Sequence, residues 1–262
     1  MSRGVLLFAF NNDTTNYYDM AVYCAKRVNH FLNLPVTLVT DKESLPSNQS
    51  YQFDNVLLVS AQSDNYKQKD VWKNKDRYRA YELSPYDETL VLDSDYVVNT
   101  DKLNQIFDTY TDFMCAKTAI YLMFPDAPID IISTNSFSCP WATVIAFKKT
   151  DKAKQIFDCI KMIQENYIHY SNLYSFVPVP YRNDYALAIA LHIVNGGLED
   201  TTNYIPWNLL HVNEKTKLYK IGDEFDTNYV ATRVVKRTEY IKIKDIDFHM
   251  LNKTNFTEII NG

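Results

Sequence analysis

The first hundred residues alternate between short apolar runs and amphipathic or polar stretches. Residues 5–10 form a continuous apolar run, which is typical of a strand buried on both faces. From Tyr17 to just before Pro35, apolar residues recur about every 3.6 positions, which predicts an amphipathic helix. Two further runs, 36–40 and 56–59, predict short strands.

The next stretch predicts a second helix and a fourth strand. Trp72, Ala80 and Leu83 lie among charged residues over 70–83, which predicts a helix that ends at Ser84-Pro85. The apolar run 89–92 predicts a strand. Strands that alternate with helices favour an α/β fold with a mostly parallel, mixed sheet and helices on both faces.

The second half of the chain has a more mixed pattern. It predicts a strand over 142–147, a helix over 151–167 and a helix near 184–194. From Tyr229 onward, apolar and basic residues interleave, which suggests strands. No repeat, linker or low-complexity tract divides the sequence, so we expect one domain over residues 1–262.

Composition excludes several function classes. The net charge is −5, so no global positive field draws the chain to nucleic acid or anionic lipid. The five glycines lie at scattered positions, so no glycine-rich loop of the dinucleotide, kinase or P-loop type is present. The motif Gly-x-Ser-x-Gly is absent as well.

Cysteine usage and hydropathy favour a reduced, cytoplasmic protein. The four cysteines form no Cys-x-x-Cys pair. The first apolar run is too short for a signal-peptide core, and the richest apolar stretch, 185–194, is far short of a membrane span. We therefore expect no membrane partner.

The sequence Asp93-Ser94-Asp95 follows the predicted strand 89–92 directly. Ligands of parallel sheets bind at the carboxyl ends of the strands, and two carboxylates placed there need a cation. Mg²⁺ or Mn²⁺ held by carboxylates completes its shell with substrate phosphate oxygens, which favours a diphosphate ligand. A second pair, Asp245 and Asp247, lies in a polar stretch and lacks this context. A solvated turn remains the alternative for Asp93 and Asp95.

The region before this pair resembles the nucleotide-sugar glycosyltransferases of the GT-A fold, with the glycogenin-like family eight as the closest comparison. In that family a basic residue on a helix is followed by Leu, Tyr and the acidic pair at set distances. Arg77, Leu83, Tyr86 and Asp93 reproduce those distances of six, nine and sixteen residues. The stretch 7–12 is similar to the family's uridine-binding strand and loop, and 248–253 is similar to its late His and Lys region.

The resemblance implies a metal-dependent glycosyltransferase that moves a sugar from a nucleoside-diphosphate sugar, most simply a UDP-sugar, to a hydroxyl acceptor. It implies Mn²⁺ or Mg²⁺ bound by Asp93, Asp95 and His249. Arg77 and Asp184 are the expected catalytic residues. The residues expected to contact the donor are Phe10, Asn11, Tyr17, Asp41, Arg77, Ser94 and Lys253. Residues 1–100 would form the nucleotide-binding half, and 101–262 the acceptor-binding half with the C-terminal metal-binding segment.

The chain departs from the family pattern in ways that leave alternatives open. Lys253 follows His249 by four residues, not six, and Tyr185 replaces the Gln of the family's Asp-Gln motif. Asp184 is also a candidate helix N-cap, and in an inverting enzyme it is the candidate base.

The function class and the acceptor also stay open. A nucleotidyltransferase and a non-catalytic nucleotide or sugar-binding module remain alternatives. Arg233, Lys236, Arg237, Lys242 and Lys244 form a basic stretch that interleaves with Tyr240. It is either the solvated face of a strand or a nucleic-acid contact, and the latter would fit a modified DNA base as acceptor.

Overall fold

A computed structural model describes residues 1–48, 51–67, 70–109, 111–122, 132–133, 137–234 and 237–261. The strands are β1 (Arg3–Phe8), β2 (Val36–Thr40), β3 (Asn55–Leu58), β4 (Tyr66–Lys67), β5 (Asp70–Val71), β6 (Glu88–Asp93), β7 (Tyr96–Val97), β8 (Phe113–Ala116), β9 (Ala119–Tyr121), β10 (Trp141–Lys148), β11 (Leu209–Val212), β12 (Lys217–Ile221), β13 (Asn228–Val234), β14 (Thr238–Ile243) and β15 (Phe248–Met250). The α-helices are α1 (Tyr17–Leu32), α2 (Ala80–Leu83), α3 (Asp151–Glu165), α4 (Tyr167–Tyr174), α5 (Asn183–Val194) and α6 (Lys253–Asn261). Short 3-10 helices cover Lys75–Arg79, Lys102–Asp108 and Thr201–Asn203.

The large sheet has six strands in the order β3-β2-β1-β6-β10-β8. The first four are parallel, whereas β10 runs antiparallel to both β6 and β8. Register places Phe8 beside Asp93, so the carboxyl ends of β1 and β6 lie at the same edge of the sheet. The predicted mixed α/β sheet with a mostly parallel order is confirmed.

Helices cover both faces of this sheet. Val5 and Leu7 on β1 pack in one apolar cluster with α1, whereas Leu6 between them packs with α3 and α5 on the opposite face. All three side chains are fully buried. Burial of each stabilises the fold by about 1.5–3 kcal/mol, which is why β1 is a continuous apolar run and not an alternating one.

Three smaller sheets accompany it in the described residues, one of which is the β4–β5 hairpin. The chain leaves the large sheet at the end of β6, turns over Ser94 and Asp95, and enters a four-stranded sheet in the order β7-β15-β11-β9. A three-stranded antiparallel sheet, β12-β13-β14, packs on it through Tyr229 and Phe248, whose ring centroids are 5.1 Å apart. The acidic pair therefore lies at the junction of the first two sheets.

The helix predicted over 70–83 is wrong in its first half. Residues Asp70–Val71 form a strand that pairs with β4, and the helical part begins only at Lys75 as a 3-10 helix, continuing as α2. The amide of Trp72 donates to the carbonyl of Asn65 at 2.7 Å. These hydrogen bonds hold the backbone in an extended hairpin and compete with helix formation.

Two basic residues of this segment therefore lie in different local structures. Arg77 lies on the 3-10 helix, but Lys73 precedes it and pairs with Asp41 at 2.8 Å. The ion pair with Asp41 fixes the direction of the Lys73 side chain.

Other predicted boundaries shift by smaller amounts. The first strand covers Arg3–Phe8 instead of 5–10, and the predicted helix 151–167 ends at Glu165. A separate helix, α4, follows after Asn166. Lys236 of the basic stretch lies outside the described residues. Among the described helices, none has the length and apolar character needed to cross a membrane.

Candidate functional site

Three potential metal ligands meet where the chain passes from the large sheet to the second sheet. Asp93 ends β6, and Asp95 immediately precedes β7. The last strand, β15, pairs antiparallel with β7 and sets His249 opposite Tyr96. The amide of Met250 donates to the carbonyl of Asp95 at 3.0 Å. Backbone pairing, and not chance proximity of loops, therefore brings His249 to the acidic pair.

The ligand atoms of Asp93, Asp95 and His249 all lie within 4.8 Å of one another. His249 Nε2 is 3.2 Å from Asp95 Oδ2 and 3.7 Å from Asp93 Oδ2. Two cations accompany the carboxylates: Arg77 Nη1 is 2.5 Å from Asp93 Oδ1, and Lys253 Nζ contacts Asp95 Oδ2. Positive side chains thus offset the mutual repulsion of the two carboxylates.

His249 suits a metal site because it stays neutral. Burial lowers the pKa of His249, and this outweighs the opposing effects of Asp93 and Asp184. Thr143 Oγ1 lies 3.3 Å from Nδ1, so when Nδ1 carries the proton, the Nε2 lone pair faces the two carboxylates. Carboxylate oxygens with one neutral imidazole form a set of ligands that fits Mn²⁺. Mg²⁺ also fits, although it binds nitrogen ligands less readily than Mn²⁺ does. The three residues therefore fit a divalent cation.

A second histidine, which the sequence analysis did not single out, packs behind this cluster. His211 pairs with His249 in the β11–β15 register, and their ring centroids are 4.9 Å apart at 84°. Trp141 and Tyr121 also meet its ring edge to face. Burial lowers the pKa of His211 to about 2, and neither ring nitrogen has a hydrogen-bond partner among the described residues. His211 therefore acts as a neutral aromatic wall behind His249.

The backbone of one residue, Ala142, connects the cluster to Asp184. The Ala142 carbonyl accepts from Arg77 Nη2 at 2.8 Å, and the Ala142 amide donates to Asp184 Oδ1 at 2.8 Å. Arg182 Nη2 in turn donates to Asp184 Oδ2 at 3.0 Å. Two ion pairs, those of Arg77 with Asp93 and of Arg182 with Asp184, are thus joined through the backbone of β10.

Asp184 is not the N-cap of its helix. α5 begins at Asn183, and Arg182 holds the N-cap position. The Asp184 carboxylate bonds instead to the neighbouring strand and to Arg182, as described above. The simple capping interpretation is therefore wrong, and the side chain is held toward the centre of the molecule.

An open cavity of about 740 Å³ contains this cluster at its floor. Of the residues proposed from the sequence, nine line it: Phe10, Tyr17, Arg77, Asp93, Ser94, Asp95, Asp184, His249 and Lys253. The volume falls within the range of small-molecule sites, about 300–1,000 Å³. The structure thus brings together residues from positions 10 to 253 around one cavity.

Asn11 and Asp41 are not among the residues that line the cavity. Asn11 Oδ1 accepts from the amide of Tyr18 at 2.9 Å, which ties the loop to the start of α1. Asp41 accepts from Ser44 and pairs with Lys73. Burial raises the pKa of Asp41, but these hydrogen bonds outweigh it and hold the pKa below its usual value. Both residues support the wall of the cavity from behind.

Several cavity-lining residues escaped the sequence analysis. Asn12, Trp72, Trp141 and Arg182 line the cavity. Asn12 Nδ2 donates to the Val71 carbonyl at 2.9 Å and so joins the loop after β1 to the β4–β5 hairpin. A lone Trp or Asn gives no periodic signal, but Arg182 lies two residues before Asp184 and was accessible from that motif.

Comparisons with known proteins identify similar structures but no family. No protein-family model matches the chain, and no curated protein matches it by sequence. The glycosyltransferase GlyE of Streptococcus pneumoniae TIGR4 is similar with a TM-score of 0.44 and 14% identity, over 78% of this chain and 44% of that chain. The match thus spans less than half of GlyE.

Two further solved structures are similar. The galactosyltransferase LgtC, in complex with donor and acceptor sugar analogues, has a TM-score of 0.43 and 13% identity over 72% of this chain and 70% of its own. Mouse xyloside xylosyltransferase 1 has a TM-score of 0.45 and 10% identity over 77% and 86%. All three neighbours are glycosyltransferases.

Proposed function

We propose that this protein is a metal-dependent glycosyltransferase that transfers a sugar from a nucleoside-diphosphate sugar to a hydroxyl acceptor. The observation that carries the proposal is the cluster of Asp93, Asp95 and His249 at the floor of a 740 Å³ cavity. Carboxylates at the carboxyl end of a buried strand favour a cation with a phosphate-bearing ligand. The spacing from Arg77 to Asp93, which resembles family eight of the GT-A enzymes, agrees with this class.

Asp93, Asp95 and His249 would hold Mn²⁺ or Mg²⁺. When bound, the ion supplies a Lewis acid that neutralises charge on the departing diphosphate. Arg77 holds Asp93 in place and presents its guanidinium at the same edge. Lys253, which contacts Asp95, reaches the diphosphate when a donor is present.

We assign the donor as a UDP-sugar whose base binds near β1. Phe10 and Tyr17 line the end of the cavity formed by the residues after β1, where an aromatic wall suits a flat base. Burial and the nearby Asp93 raise the pKa of Tyr17 to about 12, so its hydroxyl stays protonated and can donate a hydrogen bond. We assign residues 1–100 to nucleotide binding and 101–262 mainly to the acceptor side.

Asp184 is placed to act on the sugar. It lines the cavity with Arg182, and both of its oxygens already accept hydrogen bonds, from the Ala142 amide and from Arg182. These two hydrogen bonds hold the carboxylate in a fixed orientation, which suits the positioning of a bound sugar. We therefore assign Asp184 to binding sugar hydroxyls, with the anomeric configuration retained, and not to the general-base role of an inverting enzyme.

The test uses the Asp95→Asn variant. We expect loss of turnover by about 100-fold or more, since removing a group that stabilises developing charge costs this much, with little change in the melting temperature. The matched control is Asp245→Asn in the second Asp-x-Asp sequence, which we expect to retain full turnover.

The activity assay measures release of nucleoside diphosphate from a panel of nucleotide sugars with Mn²⁺. Thermal stabilisation by each donor with Mn²⁺ is recorded first, since ligand binding raises the melting temperature. Release of pyrophosphate from nucleoside triphosphates would identify a nucleotidyltransferase instead. Stabilisation without turnover for every donor and acceptor would identify a binding module. Full activity of Asp95→Asn would reject the proposed metal site.

A further inference from the structure

The three-stranded sheet β12-β13-β14 buries one face and leaves the other exposed. Leu218, Tyr229, Ala231 and Ile243 point inward and are at most 2% exposed. The alternate positions form what we call the outer face, which consists of Lys217, Tyr219, Ile221, Val230, Thr232, Tyr240 and Lys242. Of the basic stretch noted in the sequence, Lys242 lies on this exposed face.

The outer face carries a regular arrangement of rings and amines. Tyr219 is 52% exposed and Tyr240 is 71% exposed, which is unusual for side chains of their size on a sheet. Strand pairing places Lys217, Thr232 and Tyr240 side by side in one row across the sheet. It sets Tyr219 in the next row with Lys242. Each tyrosine therefore has a lysine two residues away on its own strand and another in its own row.

The segment that contains this sheet has an excess of basic residues, whereas the whole chain has a negative net charge. Residues 215–244 contain eight Lys and Arg against four Asp and Glu, in a chain of net charge −5. Among the described residues of the three strands, no acidic side chain lies on the outer face. The face therefore presents local positive charge and aromatic surface together, and its charge is complementary to a polyanion.

We propose that the outer face binds single-stranded nucleic acid, with bases stacked on Tyr219 and Tyr240 and phosphates contacting Lys217 and Lys242. A ring and an amine two residues apart on a strand are about 7 Å apart, so one nucleotide can reach both. The exposed rings need unpaired bases to stack on, so this face suits a single strand better than a duplex, whose bases are already stacked on one another. A neutral glycan would use the rings but gain nothing from the lysines.

This inference is independent of the proposed transferase activity, since none of the four residues lines the cavity. It is tested by fluorescence anisotropy with a labelled 15-nucleotide deoxythymidine strand and the full chain. We expect saturable binding that weakens with salt, with a log–log slope of about −0.7 for each phosphate contacted. Tyr219→Ala and Tyr240→Ala should each weaken binding about fivefold or more, because stacking is lost. Lys217→Gln and Lys242→Gln should each reduce the salt slope by about 0.7.

Matched controls are Tyr66→Ala and Lys161→Gln, which change exposed residues outside this face and should leave binding unchanged. Melting temperatures of all variants verify the fold. Absence of binding at low salt would overturn the proposal, and so would equal affinity for duplex DNA. Displacement of the strand by dextran sulfate at equal charge concentration would reassign the face to anionic glycans. Equal losses in the control variants would show non-specific attraction only.

Discussion

Lys253 contacts the carboxylate oxygen that a metal ion would need. Its ammonium meets Asp95 Oδ2, the same atom that lies 3.2 Å from His249 Nε2, and it also donates to the Met250 carbonyl at 3.3 Å. This ammonium therefore competes with a divalent cation for Asp95. We predict that Lys253→Met, which preserves length and the apolar stem, increases the affinity for Mn²⁺ when no nucleotide is present.

The expected change in Mn²⁺ affinity follows from the burial of the ion pair between Asp95 and Lys253. The Asp95 side chain is 5% exposed and that of Lys253 is 29% exposed, so solvent screens their attraction only in part. A hydrogen bond to a charged group contributes about 1.5–3 kcal/mol, and each 1.4 kcal/mol corresponds to a tenfold change in affinity. Removing the competing ammonium should therefore strengthen Mn²⁺ binding by about tenfold or more. With donor bound, the same substitution removes a diphosphate contact and should weaken UDP binding by a similar factor.

Isothermal titration calorimetry measures both affinities on one preparation. Mn²⁺ is titrated into metal-stripped protein, and UDP is then titrated at saturating Mn²⁺. The control variant is Lys75→Met. Lys75 pairs with Asp64 at 2.7 Å, and this ion pair lies away from the ligand cluster. Unchanged or weaker Mn²⁺ binding by Lys253→Met would refute the reasoning, as would an equal gain in Lys75→Met.

Three further predictions concern stability, measured from urea midpoints. Gly4→Ala should lower it by about 1–3 kcal/mol, because the added Cβ would lie 2.3 Å from the Tyr86 ring; an unchanged midpoint would contradict this. Lys73→Met should cost about 2 kcal/mol at pH 7, since it breaks the pair with Asp41. Because hydrogen bonds from Lys73 and Ser44 hold the pKa of Asp41 below its usual value, that cost should be present near neutral pH and shrink as the pH falls through this lowered pKa, and a cost that grows on acidification would be inconsistent. His211→Phe should raise the free energy of unfolding by about 1–2 kcal/mol, because the two buried ring nitrogens of His211 have no hydrogen-bond partner among the described residues. A lower free energy of unfolding would argue that these nitrogens are hydrogen-bonded.

Sequence patterns predicted the elements whose burial is regular. The apolar run of β1 and the 3.6-residue period of α1 each report one buried environment along their whole length, so local pattern and fold agree. The position of Asp93 at the end of a buried strand was predictable for the same reason. The segment 70–83 failed because Asn65 and Trp72 hold its first half in a hairpin, a contact between residues that no period reveals.

The same distinction applies to the candidate site, where residues in a clear local pattern were predictable and residues brought together by strand pairing were not. Asp93 and Asp95 were visible because they are adjacent to a strand with a clear pattern, and His249 because it resembles a known late motif. His211 meets His249 through strand pairing between β11 and β15, and Trp141 joins this group by packing its ring against His211. Pairing between strands 38 residues apart in sequence leaves no local trace, since either strand reads as a short apolar run on its own.

The position of His249 at the seam of two sheets has a consequence for how the protein is made. The large sheet uses residues 3–148, so its strands emerge from the ribosome long before β15. Domains fold as the chain is synthesised, amino-terminal parts first. The acidic pair is therefore synthesised well before its histidine, and the complete cluster of three ligands forms only after β15 has been made.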